Sequence, residues 1–424
     1  MSSSARTEVL VVGAGPTGLT LGAALARLGV RTRIIDRTPE RTDKTKAIGV
    51  QAGILEALGH FFGADLPARM VAAGHVAREA FLHVNRRAPV RLDLSSIPSQ
   101  FNFLLLLPQS YTEQFLEEEC QRSGLRVERS TALAGLQTGG DRPLARCLVE
   151  GGSESIEADF VVGCDGAHSV VRHEVGIPFA GGTYEGNFVL GDVVLRWRWN
   201  HTAARAYLTE NGIAGCFPLP GEPGFFRLIL AETKQPGLDP GPEISQQEFC
   251  QLVERLLPER VELDKFVWLT RFRLHHRLVS RFRAGRVFLA GDAAHIHSPA
   301  GGQGMNTGIL DALNLANKLA AVLRSGAPDS LLDDYERQRL PVARRVVHGT
   351  DLAFEILTPK GGSISRRISL AIVPRLMSMA WVQRRVAKAI SQVSVARREM
   401  ADYRTAATAS AAKKPAAGSP ATGF

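Results

Sequence analysis

The chain is poor in cysteine: Cys120, Cys147, Cys164, Cys216 and Cys250 are odd in number, scattered, and form no CxxC pair. That argues against a disulfide framework or a zinc site and fits reduced thiols in a cytoplasmic protein. No apolar run reaches about 18 residues, the length a membrane-spanning helix needs. The nearest candidate, Ile368 to Val382, is broken by Pro374 and Arg375. The opening MSSSARTEVL has no apolar signal region and leads into a strand pattern, so secretion is not expected. Acids are scarce in one stretch: residues 361–405 carry nine Lys/Arg against Glu399 and Asp402. With Lys413 and Lys414 they account for the whole net charge of +9, which leaves residues 1–360 neutral. A neutral body with a basic appendage is not the footprint of a nucleic-acid binder. His295 and His297 form an HxH pair with no third ligand nearby in sequence, so no metal is expected.

What is present suffices for a large core. At 424 residues and 45% apolar, two joined lobes are the natural expectation. Glu8 to Val12 is a short apolar run, followed by glycines and a helix with Leu21, Leu25 and Leu28 on one face. Gly29 ends that helix, and a second strand runs from Val30 to Asp36. This βαβ unit implies a parallel sheet, hence an α/β fold of Rossmann type. Phe103 to Leu107, Phe160 to Gly163 and Arg286 to Ala290 read as further short strands, and Tyr111 to Ser123 as a helix. Residues 181–275 alternate apolar and polar residues between Gly and Pro turns, so nucleotide-binding pieces flank a β-rich insertion. Trp197 and Trp199 read as alternate positions on one of its strands. Ile309, Leu313, Ala316, Ala320 and Leu323 mark a helix beginning near Thr307, and Tyr335 lies on another that Pro341 should kink.

Three segments carry chemistry. Gly13-Ala14-Gly15-Pro16-Thr17-Gly18 stands between strand and helix. Gly13 permits the tight turn, Gly15 lets a pyrophosphate approach the backbone, and Gly18 lets helix and strand pack closely. Asp36, at the end of the second strand, is placed to accept hydrogen bonds from ribose hydroxyls. These features point to a dinucleotide without separating NAD from FAD. The second segment runs from Val161 through Cys164-Asp165-Gly166 to Arg172. In the third, Gly291-Asp292 ends a strand, and Pro299-Ala300-Gly301-Gly302-Gln303-Gly304-Met305-Asn306 opens the long helix. A glycine-rich turn at a helix start presents N–H groups to an anion.

These three segments, in this order, resemble the class A flavoprotein monooxygenases, the family of p-hydroxybenzoate hydroxylase and the polyketide aromatic hydroxylases. The resemblance spans roughly residues 7–345, with echoes in Leu107-Pro108-Gln109 and Tyr335 to Pro341. It implies FAD as cofactor, with Gly13 to Gly18 and Asp36 holding the ADP half. Gln109 would meet the ribityl and pyrophosphate region, and Asp292 a ribityl hydroxyl. Backbone at Gly304, Met305 and Asn306, with Pro299 in the loop before them, would meet the flavin ring. Asp165 would serve both FAD and the pyridine nucleotide, and the backbone of Leu133 would meet adenine. Arg37 and Lys46 carry over more weakly, Lys46 standing where the family often has arginine. The resemblance also implies NADPH or NADH as reductant and O2 as co-substrate. Through a flavin C4a-hydroperoxide, oxygen would pass to a phenolic or polyketide aromatic ring of secondary metabolism. Epoxidation, Baeyer–Villiger or quinone-pathway chemistry are alternatives, with a prenyl reductase or a non-catalytic flavin protein behind them. The segment Arg196 to Asn200 lacks the Trp-x-Trp-x-Ile-Pro pattern of flavin halogenases.

The implied layout is an FAD lobe in two parts, 1–180 and 276–350, with 72–108 lending strands to a substrate lobe at 181–275. Phe217 and Pro218 fall where the resemblance implies that lobe lines a pocket, or equally in plain sheet core. No side chain stands out as a catalytic base. The thioredoxin-like domain of many family members is not in this sequence, nor is a second glycine-rich βαβ unit. Residues 351–405 form basic helices, read as a packed capping pair in preference to a dock for a membrane or synthase. Residues 406–424 read as disordered. A monomer or homodimer is expected.

Overall fold

The computed structural model describes residues 5–401 apart from 45–46, 86, 185, 187, 233–242, 299–300 and 358–362. The expectations for Lys46, Pro299 and the 406–424 tail lie outside the described residues.

Strand Ala5–Val12 is buried on both faces at its carboxyl end, as a central parallel strand must be. Its neighbours are Gly152–Gly163 on one side and Thr32–Ile35 on the other, both parallel to it. Val287–Leu289 and Val127–Glu128 extend the parallel array outward on those two sides. Helices Pro16–Arg27, Gln109–Arg122 and Gly304–Ser325 cover this sheet, and together they form the main apolar core.

The second lobe is a seven-stranded sheet. Its order is Glu262–Phe272, Phe188–Arg196, Phe225–Glu232, Gly212–Pro218, Ala204–Leu208, Glu79–Val84 and Val90–Asp93. One face packs Val193, Tyr207, Phe226 and Leu228 against Phe249, Leu252 and Leu256 of helix Gln246–Leu256. Alternation along Phe225–Glu232 sends Phe225, Arg227 and Ile229 to the opposite face. There Phe225 and Phe217 meet Ile48 and Leu106, while Ala231 meets Phe354, so this face looks toward the first lobe.

Several boundaries differ from the sequence expectation. The strand expected at Phe160 to Gly163 runs for 12 residues, because its amino half pairs with an antiparallel hairpin as well. The long helix starts at Gly304, before its apolar period begins. Helix Gln246–Leu256 lies inside the stretch read as all strand; its capping box, Ser245 with Glu248, is its sequence signature. Trp197 and Trp199 follow the strand that ends at Arg196. Trp197 packs on Phe226 with centroids 5.2 Å apart, and Trp199 sits beside His83. Pro341 is accommodated inside helix Asp333–Leu357.

Among the described residues, the basic C-terminal segment packs on the body along one edge. Leu370 and Val373 lie on Val84 and Leu208, and Ala387 on Leu92 and Leu94. Helical residues 393–401 return to the main core through Ala396. No helix among the described residues is long and apolar enough to cross a membrane.

Candidate active site

The carboxyl ends of three adjacent parallel strands, Val287–Leu289, Gly152–Gly163 and Ala5–Val12, each open into one of the three glycine-bearing segments. Backbone bonds carry the alignment past the strands. Cys164 N–H donates to Val12 O at 2.8 Å, and Ala290 N–H to Gly163 O at 3.0 Å. This is the edge where parallel α/β sheets bind ligands.

Gly13 takes φ +104°, and a Cβ there would stand 2.4 Å from Cys164 O, so the first and second segments touch backbone to backbone. Thr17 nests against the third segment: a Cβ on Gly291 of its turn or on Gly308 of its helix would meet the Thr17 hydroxyl at 2.4 and 2.3 Å. Ala14 N–H donates to Asp36 Oδ2 at 2.6 Å, and Thr38 N–H to Oδ1 at 2.9 Å. Asp36 therefore holds the glycine turn in shape as well as lying at the strand end. Its own N–H donates to Glu128 O, and Thr131 N–H donates to its carbonyl, which brings the strand containing Leu133 alongside.

Asp165 accepts from Val170 N–H at 2.7 Å through Oδ2. Its Oδ1 is buried with no hydrogen-bond partner among the described residues, and burial pushes its carboxyl above the ordinary range. Arg172, from the same segment, donates to Ala293 O at 3.0 Å and so ties the second segment to the third. Asp292 is exposed on the turn Gly291–Ala293. Arg37 is exposed as well. Gln109 starts its helix and donates through Nε2 to Glu113 at 2.8 Å. Gly304 and Met305 are half-buried at the start of the long helix, and Asn306 is fully buried. The Asn306 side chain accepts from Gln51 N–H at 3.0 Å and donates to Gly49 O and Gly302 O. Phe217 folds over Gly215 and joins the cluster with Ile48, Leu106 and Phe225, next to buried Pro218.

Five further residues take part that the sequence reading gave no place in the site. Gln51 braces the loop by donating to Gly301 O at 2.9 Å. Asp311, fully buried, accepts from Gly291 N–H at 3.2 Å and from Arg339 Nε at 2.7 Å, with His295 Nε2 at 2.6 Å. His297 lies beside the start of the long helix: its Nε2 is 3.6 Å from where a Cβ on Gly304 would stand. Its Nδ1 donates to Ser298 O, which leaves Nε2 an acceptor, buried and without a hydrogen-bond partner among the described residues. Burial lowers its imidazole to about 4, so it is neutral near pH 7. Finally, Arg227 and Asp192 form a buried bidentate pair, both bonds 2.7 Å, on the sheet face that looks toward this region.

The residues present fit a dinucleotide with a long anionic middle. The helices at Pro16, Gln109 and Gly304 all start without a side-chain cap and without an acid in the first turn. Helix Gln246–Leu256, remote from this edge, has a full capping box. Helix starts free of side-chain caps suit phosphates and an anionic ring. The Cβ direction of Gly15 is open, with nothing within 4 Å among the described residues.

A family profile described as "FAD binding domain" matches residues 6–350. The chain belongs to that family. Among its relatives is the 6-methylpretetramide 4-monooxygenase of Streptomyces rimosus, 36% identical over 348 residues, which are 82% of this chain. The chain spans 61% of that relative's length. The pentachlorophenol 4-monooxygenase of Sphingobium chlorophenolicum is 33% identical over 88% of this chain and 69% of its own. Among solved structures, the Diels-Alderase of pyrroindomycin biosynthesis superposes with a TM-score of 0.78 at 29% identity, covering 91% of this chain and 80% of its own. FAD is thus the dinucleotide of this family member.

Proposed function

We propose that the protein is an NAD(P)H-dependent monooxygenase that hydroxylates a phenolic or polyketide aromatic ring. The observation that carries this reading is the meeting of an FAD cradle with the aromatic-lined face of a second sheet, in a chain similar to named monooxygenases. FAD, when bound, supplies hydride acceptance and oxygen activation; the protein supplies orientation, charge and exclusion of water. Positive potential at the Gly304 helix start favours negative charge next to it. Phe217 and Phe225 offer apolar faces for a flat ring, and Arg227 with Asp192 gives that face its buried polar group.

His297 supplies the chain's acceptor for a phenolic hydrogen, because its neutral Nε2 faces the same helix start. His297→Ala should keep full FAD content. It should lower kcat/KM for a phenolic substrate by about tenfold or more, the worth of one lost hydrogen bond at roughly 1–2 kcal/mol. An unchanged kcat/KM would remove His297 from the reaction.

The whole reading is tested in sequence. Purified protein should be yellow, and anaerobic NADPH or NADH should bleach it. Aromatics that stimulate NAD(P)H oxidation should then yield product carrying one atom of labelled O2. A second reading comes from the Diels-Alderase likeness: ring closure on the same scaffold. In that case product would form without consuming NAD(P)H and without label.

A further inference from the structure

The helices Ser363–Met377 and Ala380–Ser391 present two unlike edges. The inner edge, Leu370, Val373 and Ala387, is buried on the second lobe. The outer edge exposes Ile368, Ile372 and Leu376, spaced four apart and so stacked on one face, and continues into Met379 and Trp381. Trp381 is 60% exposed. Ile356 adds to it from the preceding helix, whose carbonyl at that residue accepts from Ser369 Oγ. Single exposed apolar residues are ordinary, but a contiguous stripe of this kind marks a contact surface.

The charge around the stripe says what kind of contact. Between residues 363 and 391 there are six cations, Arg366, Arg367, Arg375, Arg384, Arg385 and Lys388, and no acid. Arg375, Arg384, Arg385 and Lys388 are exposed. A second copy of the same face would set cations against cations under two-fold symmetry, which opposes self-association. An apolar stripe with an interfacial tryptophan and flanking arginines matches instead the boundary of an anionic bilayer.

We infer that this outer edge docks the protein onto an anionic lipid surface, lying in the headgroup plane without crossing it. Packing and docking are then served by opposite edges of one helix pair. The contact would lie beside the strands Glu79–Val84 and Ala204–Leu208 of the second lobe, on which the inner edge rests. The inference is independent of the reaction proposed above.

The test floats the full FAD-loaded chain with vesicles of phosphatidylcholine alone and of phosphatidylcholine mixed with phosphatidylglycerol. Binding is expected to the mixed vesicles, weakened by salt, with a blue shift in tryptophan emission that Trp381→Phe reduces. Two double variants, Ile372→Ser with Leu376→Ser and Arg384→Gln with Arg385→Gln, should each lower the bound fraction at least tenfold. All four positions are exposed, so the FAD content and melting temperature of both variants should match the parent; the charge variant decides if the apolar one misfolds. Equal binding to both vesicle types, or none to either, would overturn the inference. So would a concentration-dependent dimer abolished by the apolar variant in the absence of lipid.

Discussion

Asp311→Ala is expected to destabilise the fold by about 3–5 kcal/mol and to strip the protein of FAD, because it removes one partner from a buried ion pair. Asp311, His295 and Arg339 are all buried. The Asp311 carboxylate is shared among Arg339, His295 and the Gly291 N–H. Arg339 in turn donates to Glu399 at 2.8 Å and to Thr307 O at 3.2 Å. Without Asp311 the guanidinium keeps a single carboxylate, and the turn before Asp292 loses the acceptor that fixes it. Against a native stability of about 5–15 kcal/mol, that loss is large. Denaturant unfolding of the apo-protein and FAD titration measure the two effects separately. A variant with the parent's midpoint and FAD affinity would show the network to be dispensable.

The same residue sets an acid limit. Burial works to raise the Asp311 carboxyl, but Arg339 and then His295 outweigh it and hold the group below its ordinary value. A lowered folded value means the contribution is complete above the unfolded carboxyl value of about 4 and is lost as pH falls through the folded one. Asp311→Ala should therefore flatten the acid side of the stability profile.

Asp311 is not legible as a buried residue in the sequence. Thr307, Asp311, Asn314 and Lys318 recur at helical spacing along Gly304–Ser325, and a polar stripe on one face normally means solvent. Here all four are buried, because Arg339, Gln338 and Glu399 arrive from later helices as polar partners. One helix's period cannot distinguish water from a polar neighbour delivered by residues 20 to 85 positions away. The strand-end glycines were legible for the opposite reason: their requirements are local, a turn, a close approach, a helix start. The central parallel strands were legible too, since double burial writes a continuous apolar run. His297 was visible only as half of an HxH pair. Its role depends on Ser298 O taking the Nδ1 hydrogen, which no spacing encodes.

The three glycines of the first turn should separate when each receives a side chain. Gly13→Ala forces a left-handed φ of +104° on an L-residue and drives its Cβ to 2.4 Å from Cys164 O. The strain alone is about 1–3 kcal/mol, and the opposing atoms are backbone, which cannot rotate aside. Gly18→Ala places its Cβ 1.9 Å from Gly13 O, so helix and turn must part. Both variants should melt at lower temperature as apo-protein. Gly15 is different: its φ of −76° suits any residue, and its Cβ direction is open. Gly15→Val should leave apo stability unchanged while weakening FAD by at least tenfold, ~1.4 kcal/mol, because its Cβ points into space open among the described residues, where the ligand would lie. Apo melting temperatures beside FAD titrations decide the matter. If Gly15→Val bound FAD like the parent, the pyrophosphate could not lie against this turn, and the placement of the ADP half would fall with it.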